Sequence, residues 1–177
     1  MIEASLLLQS PSTSSIMVLI KASLLSGLSF SASVIATPFN SLLPLSTAEL
    51  CPPKYAPADL QRAIFYDFVN TFYTIGNTTE AFLTHVDESY IQHNPAILSG
   101  RDAAISALDG YFANANLTIM RTAFDSPYGW IHYRVDQKGL EPTAYIDVYR
   151  FNGSCVVEHW DVIQERPANA TNPLALF

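Results

Sequence analysis

The run Asp147-Val148-Tyr149-Arg150-Phe151-Asn152-Gly153-Ser154-Cys155-Val156-Val157-Glu158-His159-Trp160-Asp161-Val162-Ile163-Gln164 decides how this chain folds. β-Branched and aromatic residues alternate with polar ones on both sides of Asn152-Gly153, and a short turn between two such runs makes a β-hairpin. The second half is unusual, because Glu158, His159 and Asp161 stand in an otherwise apolar strand. A solvent-facing edge would explain alternate polar residues. Under strict alternation Cys155, Val157, His159, Asp161 and Ile163 share one face, with Val156, Glu158, Trp160 and Val162 on the other. The first face mixes apolar residues with His159 and Asp161, which is the composition of a small-molecule pocket. Register decides whether Asp147 joins them. A two-residue loop pairs Phe151 with Ser154 and puts Asp147 opposite Glu158. A three-residue loop with a left-handed Gly153 pairs Arg150 with Ser154 and gathers Asp147, His159 and Asp161 on one face. The residues alone slightly favour the shorter loop.

Working outward, strands are predicted over Leu117–Phe124, Trp130–Val135, Thr143–Phe151 and Cys155–Gln164, with Ser126-Pro127-Tyr128-Gly129 turning the first into the second. Upstream, Leu60, Ile64, Phe65, Phe68, Val69 and Phe72 recur at helical spacing, which predicts an amphipathic helix over Ala58–Ile75 ended by Gly76. A short helix fits Thr79–Val86. Tyr90 to Pro95 reads as a turn, because Asn94-Pro95 biases the chain out of the helical region. A third helix fits Gly100–Tyr111, with Ala103, Ala104, Ala107 and Leu108 on one side. Helices first and an antiparallel sheet afterwards is an α+β order, with the N-terminal helices packed on one face of a curved sheet.

The chain has 177 residues, 49% hydrophobic and 14% charged, with a formal charge of −7. That length suits one domain, and the apolar content can bury a core. So few basic residues, none in a run, exclude the electrostatic footprint of a nucleic-acid binder.

Residues 1–50 are rich in Ser, Leu and Ala. From Met17 a short basic n-region, an apolar stretch over Ala22–Ile35 and the site Val34-Ile35-Ala36 read as a secretory signal, which places a signal peptide at 1–36 with an alternative start at Met17. Lys21 and recurring Ser residues interrupt the apolar run, so no stable membrane span is expected. A Pro-rich arm (37–57), the main domain (58–166) and a flexible tail (167–177) would follow. Four of nine asparagines, Asn77, Asn116, Asn152 and Asn169, head N-x-[ST] sequons, in keeping with a secreted glycoprotein. In an oxidising compartment Cys51 and Cys155 could pair, although their separation cannot be read from sequence.

There is no G-x-G-x-x-G, G-x-x-x-x-G-K-[ST] or G-x-S-x-G, so nothing points to a nucleotide cofactor or a serine-hydrolase elbow. The histidines form no H-x-H or H-E-x-x-H pair, which leaves a metal site only to separate elements brought together by folding, and none is assigned.

Tyr90-Ile91-Gln92-His93-Asn94-Pro95 with Gly100 beyond it, and Asp147–Gly153 leading to Val157-Glu158-His159-Trp160-Asp161-Val162-Ile163-Gln164, resemble the SnoaL-like polyketide cyclases of the NTF2-like superfamily. The resemblance covers about residues 58–165 and is most specific in Glu158–Gln164. It implies a cone-shaped fold with a deep apolar pocket, intramolecular aldol closure of a polyketide-like compound in secondary metabolism, an aspartate base matching Asp161, and no cofactor. The family turn reads Asp-Gly-Lys where this chain has Asn152-Gly153-Ser154 and suits the three-residue loop, which tips the expectation toward Asp147, His159 and Asp161 together. The signal segment and the Asn152 sequon depart from that family's cytoplasmic members.

Burial in an apolar cavity would raise the basicity of Asp161, and His159, His132 or His93 could donate to the developing enolate oxygen. Asn94 is assigned to substrate binding. Trp130 and Tyr145 would pack against a planar substrate. Glu158 and Trp160 would face outward or into a homodimer contact. Two alternatives stand beside catalysis: a secreted binding protein for small apolar ligands, and an interaction protein with a vestigial cavity. Asp161 paired with Arg134 or Arg150 would favour them.

Overall fold

The computed structural model describes residues 49–177. The proposed signal segment, the alternative start at Met17 and residues 37–48 of the arm lie outside the described residues. The element order is α1 (Ala58–Val69), a π-helical segment (Asn70–Ile75), α2 (Thr78–His85), β1 (Val86–Gln92), α3 (Arg101–Leu108), β2 (Ala115–Asp125), β3 (Tyr128–Gln137), β4 (Thr143–Asn152) and β5 (Cys155–Glu165). The fold is α+β, an open five-stranded sheet in the order β1-β5-β4-β3-β2 with helices on its inner face.

Several expectations need correction. The sheet is mixed: β1 runs parallel to β5, pairing Gln92 with His159, so the segment read as a turn before Asn94 is a fifth strand. Its central Asp87-Glu88-Ser89 and the irregular register between Val86 and Ile91 hide the alternation that would have marked it. The long first helix also changes pitch at Asn70. Thr71 Oγ1 donates to the Asp67 carbonyl oxygen at 2.9 Å, in competition with the backbone ladder. The wider turn brings the consecutive residues Thr71, Phe72 and Tyr73 into the interior.

The β4–β5 turn follows neither predicted register. Asn152 pairs with Cys155 around Gly153-Ser154, and an extra residue at Val157 then shifts the ladder so that Tyr149 faces His159 and Asp147 faces Asp161. This bulge flips the parity of β5. Val156, not Val157, therefore joins the core, while His159 and Asp161 still point inward. Gly153 is required at the turn: its φ is +53°, and an added Cβ would lie 1.9 Å from the Lys54 carbonyl oxygen. Gly129 of β3 is required for another reason, since a Cβ there would come within 2.5 Å of the Phe65 ring.

The core is unusually aromatic. Phe65 and Phe68 of α1 pack on Phe124, Phe151 and Tyr149 of the sheet, and Phe82 of α2 closes the layer. Leu60, counted into the apolar stripe, is exposed, whereas Gln61 is buried and donates to the Gly153 carbonyl at 3.0 Å. Cys51 and Cys155 form a disulfide that ties the N-terminal arm to the start of β5.

Candidate active site

Tyrosine and phenylalanine side chains from the π segment, β3, β4 and the α3–β2 connection leave a cavity of about 550 Å³ between helices and sheet. Gln92, Asn94, Asp147, His159 and Asp161 supply its polar groups beside the tyrosine hydroxyls, and among the described residues no Lys or Arg lines it. The polar groups meet because of register. Asp147 and Asp161 are direct cross-strand partners, and His159 on β5 sits beside Gln92 on β1.

Asp147 is buried and its Oδ2 accepts from Tyr73 Oη at 2.5 Å and Tyr133 Oη at 3.1 Å. Because Tyr73 gives its proton to Asp147, the 2.6 Å contact between Tyr73 and Tyr149 has Tyr149 as donor. Burial first, and the Asp147 charge second, push all three phenols well above their usual range, so they stay protonated and act as donors.

The orientation of His159 follows from Gln92. The Asn94 backbone N–H, which can only donate, lies 3.0 Å from Gln92 Oε1, and His159 Nδ1 lies 2.7 Å from the same atom. Oε1 is an acceptor for both, so Nδ1 carries a proton. Nε2, on the other side of the ring, is buried and without a hydrogen-bond partner, 3.6 Å from Asp147 Oδ1. Asp161 is half-buried on the cavity wall, and its Oδ2 accepts from Asn94 Nδ2 at 2.5 Å. The arginines that might have held it are engaged elsewhere: Arg134 with Asp136 at 2.8 Å and Arg150 with Glu158 at 2.7 Å.

Of the residues singled out from sequence, Asp147, His159, Asp161, Asn94 and Tyr145 line the cavity. His93, Trp130 and His132 do not, and their expected place in the pocket is corrected. His93 lies beyond inward-facing Gln92, so strand alternation turns it outward, where it bonds Glu158 at 2.9 Å and stacks on Trp160 at 4.9 Å. Trp130 and His132 alternate with the inward Ile131 and Tyr133, and His132 is covered on the outer face by Phe177. Gln92, Tyr73, Tyr90, Tyr133 and Tyr149 were missed as site residues. For Gln92 a signal existed, since it precedes His93 in the same motif; for the tyrosines only packing reveals the role.

No family model matches the chain, and no curated protein does. Solved structures do. An NTF2-like protein of unknown function from Mesorhizobium loti is 15% identical, over 60% of this chain and 93% of that one, with a TM-score of 0.53. Another from Burkholderia xenovorans is 15% identical over 64% and 89%, at 0.52. A proposed ketosteroid isomerase from Kribbella flavida is 17% identical over 65% and 85%, at 0.55. The protein thus has the NTF2-like fold, as the α+β architecture and the family resemblance implied.

Proposed function

We propose that the protein is a cyclase or isomerase that removes a proton beside the carbonyl of a small, apolar, polyketide-like compound. One observation carries this reading: Asp161 presents a carboxylate to an aromatic cavity, oriented by Asn94 and joined to no arginine or lysine among the described residues. A base needs that freedom. His159 Nε2 lies on the same wall, where a protonated ring would donate to the oxygen that gains charge. Tyr145 supplies a flat apolar surface. A pocket without cations favours an uncharged substrate over a carboxylate or phosphate ester. The reading needs no cofactor.

The exposed side chains of Asn77, Asn116, Asn152 and Asn169 accord with glycosylation in a secretory route. Exposed Trp130, Ile146 and Val162 on the outer sheet face accord with a homodimer.

The test is mass spectrometry of ligand retained by protein from a secretory host, followed by turnover of that ligand, in wild type and Asp161→Asn. A β-dicarbonyl or aromatic polyketide consumed by wild type and trapped by the variant supports the enzyme. An equal hold on an unchanged ligand by both proteins makes the protein a carrier instead.

A further inference from the structure

We infer that Asp147, His159 and Asp161 form a site for one divalent transition-metal cation, opening onto the aromatic cavity. Each offers one ligand atom, and the three atoms lie within 4.8 Å of one another.

The argument starts at His159. With Nδ1 donating to Gln92, a neutral ring turns a bare Nε2 lone pair toward Asp147 Oδ1, which also carries only lone pairs. Their separation of 3.6 Å is too long for a hydrogen bond. It is close to the spacing of two ligands bound ~2.1 Å from one ion at a roughly tetrahedral angle, on the order of 3.4 Å apart. His159 is only 6% exposed, so bulk water does not serve Nε2. A lone pair buried this way, with its other ring nitrogen fixed by an amide oxygen, is the usual presentation of a metal-ligating histidine.

Charge points the same way. Asp147 and Asp161 face one cavity from adjacent strands, and no Lys or Arg among the described residues lines it. Two carboxylates against aromatic walls are stabilised by a cation between them, and a 2+ ion balances both. The outer shell is complete as well. Gln92 holds His159 Nδ1, Tyr73 and Tyr133 hold Asp147 Oδ2, and Asn94 holds Asp161 Oδ2. Those contacts leave His159 Nε2, Asp147 Oδ1 and one oxygen of Asp161 to the ion. One imidazole and two carboxylates suit Zn²⁺, Mn²⁺ or Fe²⁺, with positions on the cavity side open to a ligand oxygen.

This inference is independent of the base reading, and the two uses of Asp161 exclude each other: the ion-loaded form is expected to be inactive as a proton-abstracting enzyme. Binding is therefore measured without substrate. Untagged, chelator-treated protein is titrated with ZnCl₂ and with MnCl₂ by calorimetry, with melting followed in parallel. Expected are saturable one-to-one binding and a raised melting temperature. Affinity should fall about 10-fold to 100-fold in Gln92→Leu, and further in His159→Gln and in the isosteric Asp161→Asn, which keeps the packing. Absence of saturable binding in wild type, or binding unchanged in both His159→Gln and Asp161→Asn, overturns the site. Turnover by Asp161→Asn would overturn the base reading and leave these titrations unaffected.

Discussion

Gln92 Oε1 lies 2.7 Å from His159 Nδ1 and takes the Asn94 backbone N–H on its other lone pair. Gln92→Leu removes the acceptor of both donors at once, which costs about 1–3 kcal/mol for the donors left behind. Nitrogen-15 shifts of His159 should move from a fixed Nδ1–H form to a mixture of tautomers. Gln92→Glu, which still accepts, should keep the Nδ1–H form. Identical shifts in wild type and Gln92→Leu would refute this orienting role.

Asn94 donates to Asp161 Oδ2 at 2.5 Å across a span of 67 residues. Hydrogen bonds to charged groups contribute roughly 1.5–3 kcal/mol, so Asn94→Ala should slow proton abstraction by about 10-fold to 100-fold. KM should move much less than kcat, because the side chain orients the carboxylate more than it binds ligand. A change confined to KM would make Asn94 a binding residue only.

Gly129→Ala sets a methyl group against the Phe65 ring, whose three nearest atoms would lie 2.5–2.9 Å away. A close-packed interior yields little, and the expected loss is about 1–3 kcal/mol in urea unfolding. Gly153→Ala should cost at least as much, since its obstacle is the Lys54 backbone at 1.9 Å and its φ is +53°. Unfolding midpoints equal to wild type in both variants would contradict this packing.

Replacing Cys51 and Cys155 by serine opens a closed loop spanning 104 residues of sequence. Loss of such a cross-link typically costs about 2–5 kcal/mol. The double variant should unfold at lower denaturant than wild type, and added reductant should bring the wild type down to the same curve.

Glu158 is held below the usual carboxylate range first by its hydrogen bond from His93, against the opposing effect of burial, and further by Arg150. A folded-state pKa below the unfolded value means the unfolded chain binds the extra proton first. The contribution is therefore present above the unfolded carboxylate value of about 4.3 and lost as pH falls through the folded one. Wild type should exceed Glu158→Gln in stability at pH 7, with the gap closing as the solution is acidified. A gap that stays constant from pH 7 to pH 3 would rule out this linkage.

Much of the architecture was legible because local signals agreed. Phe65, Phe68 and Phe72 mark the buried helix face, and the β-branched runs around Asn152-Gly153 mark the last hairpin. Strand β1 was not legible, because its partner residues lie 67 to 70 positions later (Gln92 to His159, Val86 to Val156) and its register is irregular. Asp147, His159 and Asp161 were gathered correctly for a reason that differs from the predicted loop: a bulge at Val157, invisible to strict alternation, restores the shared face. Trp130, His132 and His93 went astray through residue type. Alternation with Ile131, Tyr133 and Gln92 would have placed all three on the outer surface.

The parallel pairing of β1 with β5 also governs when the cavity comes into being. Gln92 and Asn94 leave the ribosome well before His159 and Asp161, and nothing between them completes the polar wall. A nascent chain must wait for its final strand to slot between β1 and β4, a contact of long sequence separation that forms slowly. Until then the core residues Tyr149 and Val86 lack the cover of His159 and Val156. A truncated or stalled chain would thus be sticky and chemically inert together, so quality control that recognises exposed aromatic surface would also remove every molecule with an unfinished site.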